Sequence, residues 1–251
     1  MKKVKLFCLP YAGGSAVIYS KWKKLIYPSI EIKEVELAGR GRRMIEPLID
    51  NMEEMVEDIF HIIKEQISGP YALFGHSMGG LITYELCHKL KKEGYPDPAY
   101  VFISGRKGPQ VKLRENTIHD LPDEDFIFEI LKYDGMDRSV FDNKELANIF
   151  IPILRADFKM IETYVYRTPS ELLNYHLSIF HGINDKAIQM NELLHWKEVT
   201  KKETEIFTFP GGHFFINEHS EQVINQINKT LTYHLEDSEH KVATPGELIF
   251  S

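Results

Sequence analysis

The sequence predicts an α/β fold built on a mostly parallel, doubly wound sheet. Two observations point there. Short apolar runs of strand length alternate with stretches of helical spacing, the pattern that parallel strands joined by right-handed crossovers produce. In addition, Tyr71 to Gly80 reads strand, sharp turn and helix within ten residues, which is how an open α/β sheet presents a side chain at its carboxyl edge.

Taken in order, Val4 to Leu9 is a buried strand that Pro10 ends. Tyr11-Ala12-Gly13-Gly14 forms a loop, and a plausibly helical stretch reaches Tyr27 before Pro28. Ile30 to Leu37 alternates as a second strand, followed by the loop Ala38-Gly39-Arg40-Gly41-Arg42-Arg43. Met52, Met55, Val56, Ile59, Phe60, Ile63 and Ile67 share one helix face. The apolar run Tyr71 to Phe74 leads into a helix through Leu90, and Tyr100 to Ser104, Leu177 to His181 and Ile206 to Phe209 are further strands. A last helix spans about Glu218 to Leu235.

One interval breaks the alternation. Between Ser104 and Leu177 helical spacing appears around Phe126 to Leu131, over Lys144 to Leu154 with an interruption at Pro152, and from Ala156 to Tyr166. So long an insertion without a strand predicts a helical lid at about 108–170. The expected organisation is one domain over 1–237 with a polar tail at 238–251, poorly packed despite Leu248, Ile249 and Phe250.

Composition narrows the function classes. The 251 residues are 43% hydrophobic and 27% charged, an ordinary globular balance with a net charge of −7. That charge argues against a nucleic-acid partner, which needs clustered Lys and Arg. Cys8 and Cys87 are the only cysteines, read as buried thiols of a reducing compartment. The amino terminus enters a strand directly and no run approaches a membrane span. A cytoplasmic monomer with no membrane contact is the expectation.

Gly75-His76-Ser77-Met78-Gly79 matches G-x-S-x-G in the strand–turn–helix setting of a nucleophile elbow. Side chains at 75 and 79 would collide with neighbouring backbone, and the tight turn exposes the Ser77 hydroxyl at a helix start. A serine hydroxyl needs a base, and the base needs an orienting acid. In elbow enzymes the chain order is Ser, Asp or Glu, His. Asp185, after the strand ending at His181, and His213, after the last strand, complete it. Their joint occurrence is more specific than the elbow alone. His76 is read as an elbow packing residue, His181 as a ring held by backbone hydrogen bonds, Asp157 as a surface or capping group rather than an alternative acid, and Asn184 as serving the turn or orienting Asp185. Acyl transfer also requires two amide donors for the oxyanion. The Met78 N–H and the Ala12 N–H are expected to supply them, with Tyr11 as the alternative to Ala12. Arg40, Arg42 and Arg43 are expected to stabilise their loop or meet an anionic substrate group. No metal-binding spacing, dinucleotide fingerprint or Walker lysine motif occurs, so no metal and no cofactor are expected. Residue spacing alone reaches "serine acyl hydrolase".

The ordered set Leu9-Pro10-Tyr11-Ala12-Gly13-Gly14, Leu37-Ala38-Gly39-Arg40-Gly41-Arg42-Arg43, Phe74-Gly75-His76-Ser77-Met78-Gly79-Gly80, Leu121-Pro122-Asp123, Gly182-Ile183-Asn184-Asp185 and Gly211-Gly212-His213-Phe214 resembles the type II thioesterases, from about residue 4 to residue 235. These are α/β-hydrolases that accompany nonribosomal peptide and polyketide synthetases. Leu9 and Ala38 depart from the family's frequent Phe and Pro. The resemblance implies the α/β-hydrolase fold and removal of stalled or misprimed acyl groups from the phosphopantetheine thiol of acyl or peptidyl carrier domains. It also implies a mobile lid that helps meet the carrier. The phosphopantetheine belongs to the partner, so the chain needs no cofactor of its own. Alternatives are a carboxylesterase or fatty-acyl thioesterase of the same fold, and a non-catalytic binding protein on this scaffold.

Overall fold

The computed structural model describes residues 3–112, 117–132 and 138–242, with side chains to residue 235. Strands β1 (Val4–Leu9) and β2 (Ile30–Glu34) flank a 3-10 helix at Ala16–Lys24. Helix α1 (Met52–Lys64) precedes β3 (Tyr71–His76), α2 (Met78–Lys92) and β4 (Tyr100–Ser104). Then follow α3 (Asp123–Ile130), α4 (Ser139–Asp142) and α5 (Lys144–Glu162). The chain closes with β5 (Leu177–Gly182), α6 (Met190–Leu193), β6 (Thr204–Phe209), α7 (Phe215–Glu218) and α8 (Ser220–Val242).

The six strands form one sheet in the order β2-β1-β3-β4-β5-β6. Every pairing is parallel. The central strands β3, β4 and β5 are buried along their whole length, and the sheet's alternating side chains feed two cores. On one face Phe7, Leu73 and Ile103 pack with Met55, Ile59 and Ile63 of α1 and with Leu81 and Ile82 of α2. On the other, Leu6, Phe74 and Phe102 pack with Tyr19 and Trp22 of the 3-10 helix and with Ile224, Ile227 and Leu231 of α8. Neither set of helices could bury its apolar stripe without the sheet.

The strand order reverses between β1 and β3, because β2 lies on the outer side of β1. At such a switch point the loops leaving the two strands diverge and open a crevice at their carboxyl ends. The register aligns Leu9 with Gly75, which sets Tyr11–Gly14 beside the turn after β3. At the other end of the sheet Gly182 aligns with Phe209, so the loops after β5 and β6 emerge side by side.

Among the boundaries that differ from the sequence reading, three stand out. β2 ends at Glu34 rather than Leu37, its last ladder bond running from Val35 N–H to the Cys8 carbonyl at 3.1 Å. Glu36 is drawn away to accept from Ser15 Oγ and Ala16 N–H. Pro152 does not divide the insertion's helices, because α5 runs continuously through it. The proline sits on the exposed side, while Ile153, Leu154, Phe158 and Ile161 hold the buried stripe; tertiary packing outweighs the missing hydrogen bond. α8 continues to Val242, into the expected tail, and Leu248, Ile249 and Phe250 lie outside the described residues. Among the described residues no helix is long and apolar enough to cross a membrane.

Pro152 is therefore a local defect in an otherwise regular helix. Pro152→Ala restores one backbone hydrogen bond without changing the buried face, and should stabilise the protein by about 1 kcal/mol or more. Thermal unfolding should then show Tm raised by roughly 2–4 °C per kcal/mol. An unchanged or lowered Tm would contradict this account of α5.

Candidate active site

The site is built at the end of β3. Ser77 has φ 54° and ψ −112°, and among the described residues it alone has positive φ without being glycine. Such a conformation costs about 1–3 kcal/mol and persists only where the surroundings over-determine it. Here they do. A Cβ on Gly75 would lie 2.1 Å from the Gly79 carbonyl oxygen, and one on Gly79 would lie 2.4 Å from the Leu9 carbonyl oxygen. The Ser77 N–H donates to the Ser104 carbonyl at 2.7 Å, and its own carbonyl accepts from Gly80 N–H at 3.0 Å. The hydroxyl is left half-buried at the start of α2.

The loop after β5 is equally fixed. Ile183 N–H donates to the Phe209 carbonyl, Asn184 N–H to that of Gly211 and Asp185 N–H to that of Gly182, each at 2.9 Å. Asp185 accepts from Ala187 N–H through Oδ1 at 2.9 Å and meets His213 Nδ1 through Oδ2 at 2.7 Å. His213 follows Gly211, whose φ of 98° turns the chain back over the sheet edge. Its Nε2 lies 2.9 Å from Ser77 Oγ. A carboxylate only accepts, so Nδ1 carries the proton in that contact and Nε2 is free to accept from the hydroxyl. Carboxylate, imidazole and hydroxyl form one continuous chain, and an imidazole so placed can take the hydroxyl's proton.

The neighbouring histidines are structural. His76 Nδ1 contacts Ser104 Oγ at 2.8 Å, and the ring packs against Tyr11, Phe214 and His213. Burial, helped by His213, pushes its pKa well down, so it adds no second positive charge beside His213. His181 is also buried with its pKa lowered by burial. Its Nδ1 has no hydrogen-bond partner, which replaces the backbone-held ring expected at that position.

Ser77, Ala12 and His213 face a cleft with about 630 Å³ of unfilled space, counting its open mouth. Ile130 of α3 and Leu154, Phe158 and Ile161 of α5 form an apolar wall, and Ala187 and Ile188 come from the loop after Asp185. Buried Lys107 also lines the cleft, with Nζ 3.0 Å from Glu192 Oε1. In the loop after β1, Gly14 N–H donates to the Tyr11 carbonyl at 2.9 Å and Gly13 N–H to Asp157 Oδ2 at 2.7 Å. Of this loop's amides, those of Tyr11 and Ala12 remain for a bound oxygen. Met78 begins α2 directly after Ser77.

One sequence expectation needs correction, and a second, which left two roles open, is narrowed to one of them. Asp157 is neither a surface group nor a cap: it is fully buried, and its oxygens meet Arg40 Nη1 and Nη2 at 2.6 and 2.7 Å. The signal was present, since Asp157 lies on the same helical stripe as Leu154, Phe158 and Ile161. The arginines stabilise loops rather than await an anion. Arg43 binds Asp58, Glu46 and the Glu36 carbonyl, and Arg42 binds the Glu34 carbonyl. Among the described residues no cluster of His, Cys, Asp and Glu could hold a metal ion.

Residues 4–231 match the thioesterase domain family. The chain is 35% identical over 229 residues to the gramicidin S biosynthesis protein GrsT of Aneurinibacillus migulanus, covering 91% of this chain and 89% of that protein. The crystal structure of ClbQ from the colibactin nonribosomal peptide/polyketide pathway superposes with a TM-score of 0.89 at 38% identity, covering 93% and 98% of the two chains. The type II thioesterase BorB from the borrelidin biosynthetic cluster gives 0.82 at 31% identity, covering 93% of each. This chain, a parallel sheet carrying a strained serine with an imidazole and a carboxylate delivered by its last two strand ends, belongs to the thioesterase domain family.

Proposed function

We propose that this protein is a type II thioesterase, which hydrolyses acyl groups from the phosphopantetheine thiol of carrier domains in nonribosomal peptide or polyketide synthesis. The observation that carries the reading is the unbroken Asp185–His213–Ser77 hydrogen-bond chain at an apolar cleft. The similarity to GrsT, ClbQ and BorB supports the pathway context.

In the proposed mechanism His213 Nε2 takes the Ser77 proton as Oγ attacks the thioester carbonyl. The C–O bond forms, and the oxyanion is met by the N–H groups of Met78 and Ala12, each worth roughly 3 kcal/mol to the transition state. Collapse breaks the C–S bond, and the imidazolium returns the proton to the departing thiolate. A water, giving its proton to His213, then attacks the acyl-enzyme carbonyl; the C–Oγ bond breaks, the imidazolium returns the proton to Ser77 Oγ, and the acid leaves. Asp185 holds the tautomer and stabilises the imidazolium. A thioester has little resonance stabilisation and a good leaving group, so no metal or cofactor is required; the pantetheine arm arrives on the carrier. The insertion around α3, α4 and α5 acts as the lid over the acyl group, in a cytoplasmic enzyme working as a monomer.

Hydrolysis of a short panel of acyl-loaded carrier domains, alongside the matching free esters, tests the assignment. Faster turnover of the carriers is expected, and Ser77→Ala should abolish it and prevent fluorophosphonate labelling. A marked preference for free esters would make the protein a carboxylesterase, and an unlabelled wild type a binding protein. Asp185→Asn provides a sharper check of the triad. An amide placed against Nδ1 favours the wrong imidazole tautomer, so kcat should fall by about 10⁴-fold. A loss below tenfold would remove Asp185 from the mechanism.

A further inference from the structure

The Tyr11–Gly14 loop contains two glycines and has little conformational preference of its own, yet its aim matters to the reaction proposed above. What fixes it comes from far along the chain. Gly13, at φ 75°, donates its N–H to Asp157 Oδ2 at 2.7 Å. The same carboxylate takes the Arg40 guanidinium fork at 2.6 and 2.7 Å, and Arg40 Nη1 also reaches the Gly14 carbonyl at 3.4 Å. Both side chains are buried, at 2% and 0% exposure. Arg40 comes from the loop after β2 and Asp157 from α5.

We infer that Arg40 and Asp157 are positioning residues: they hold the Tyr11–Gly14 loop so that the Ala12 N–H points at the oxyanion. The inference rests on the serine-hydrolase reading. A buried ion pair is weak evidence for stability, because an apolar pair of similar volume often serves as well. The bidentate fork instead supplies direction, and the third bond from the carboxylate lands on the residue next to Ala12. A misplacement of about 1 Å at a reacting centre can cost roughly 100-fold in rate. Asp157 is itself well anchored. On the same part of α5, Arg155 binds Asp123 and the His119 carbonyl. Glu162 accepts from the N–H groups of Ile118 and His119. Leu154, Phe158 and Ile161 on this helix also line the cleft, so one rigid element sets both the acyl wall and the oxyanion loop.

The test is steady-state hydrolysis of butyryl-coenzyme A by the full chain, with the inhibition constant of an alkylboronic acid and Tm measured on every variant. Asp157→Asn should lower kcat roughly 10- to 100-fold and weaken the boronate in proportion, because both depend on the oxyanion contacts. KM should stay within about threefold, since ground-state binding is untouched. The double variant Arg40→Met, Asp157→Leu removes both charges. It should keep Tm within about 3 °C of the parent while retaining the kcat defect. Recovery of kcat in the double variant would reduce the pair to a structural role and overturn the inference. So would an Asp157→Asn enzyme with parental kcat and boronate affinity, which decides the matter even if the double variant fails to fold. A parent that neither turns over nor labels at Ser77 fails differently: it removes the hydrolase reading, and this one with it.

Discussion

The site depends on one backbone conformation. Ser77 can hold a positive φ only because β3 and α2 are pressed together and against β1 without intervening side chains at 75 and 79. That contact aims Oγ out of the sheet edge, brings the first amide of α2 behind it and sets the end of β1 alongside. The strain is small beside the hydrophobic cores on the two faces, which fix strand and helix independently of the turn. A looser packing would let the serine relax to an ordinary conformation and take the hydroxyl away from His213.

The other two groups arrive by register. Parallel ladders carry no adjustable turn, so once Gly182 pairs with Phe209, the loops that leave β5 and β6 must emerge together. Backbone bonds from 183–185 to Phe209, Gly211 and Gly182 then remove the remaining freedom. The electrostatics agree with the geometry. His76 lies beside His213, with 5.3 Å between ring centroids, but its burial keeps it neutral.

The sheet, the two helical layers and the three-residue chain were legible in the sequence because each leaves a local mark. Apolar runs of strand length mark β1, β3, β4 and β5. Glycines flank Ser77, and Gly182 and Gly211-Gly212 stand just ahead of Asp185 and His213. What was not legible depends on partners distant in sequence. Asp157 shares the apolar stripe of α5, a local sign of burial, but nothing local names Arg40, 117 positions away, as the group that neutralises it. Pro152 reads as a helix end, because propensity ignores the buried stripe on either side of it. The end of β2 was missed because Glu36 is claimed by Ser15 and Ala16, a tertiary contact with no local pattern. Local periodicity finds elements and strand-end loops; it does not find long-range polar pairs.

Those long-range pairs also constrain how the insertion can move. Removing one partner from a buried ion pair costs about 3–5 kcal/mol, so a motion that separates Arg40 from Asp157 would rarely occur. The bonds from Glu162 to Ile118 and His119 and from Arg155 to Asp123 add to that cost. Residues 155–162 of α5 therefore behave as part of the scaffold. Among the described residues the first half of α5 shows no such long-range polar bonds, and it exposes Leu146 and Ile149, as α3 exposes Phe128. Pro152, which lacks the N–H that would tie the two halves of α5 together, lies between the anchored and the unanchored parts. In the proposed enzyme an acyl chain would be admitted at least cost by displacing what lies before the proline, leaving the Tyr11–Gly14 loop where Asp157 holds it. Helix α5 is thus anchored in its second half, and the boundary is the one residue whose sequence signal suggested a break.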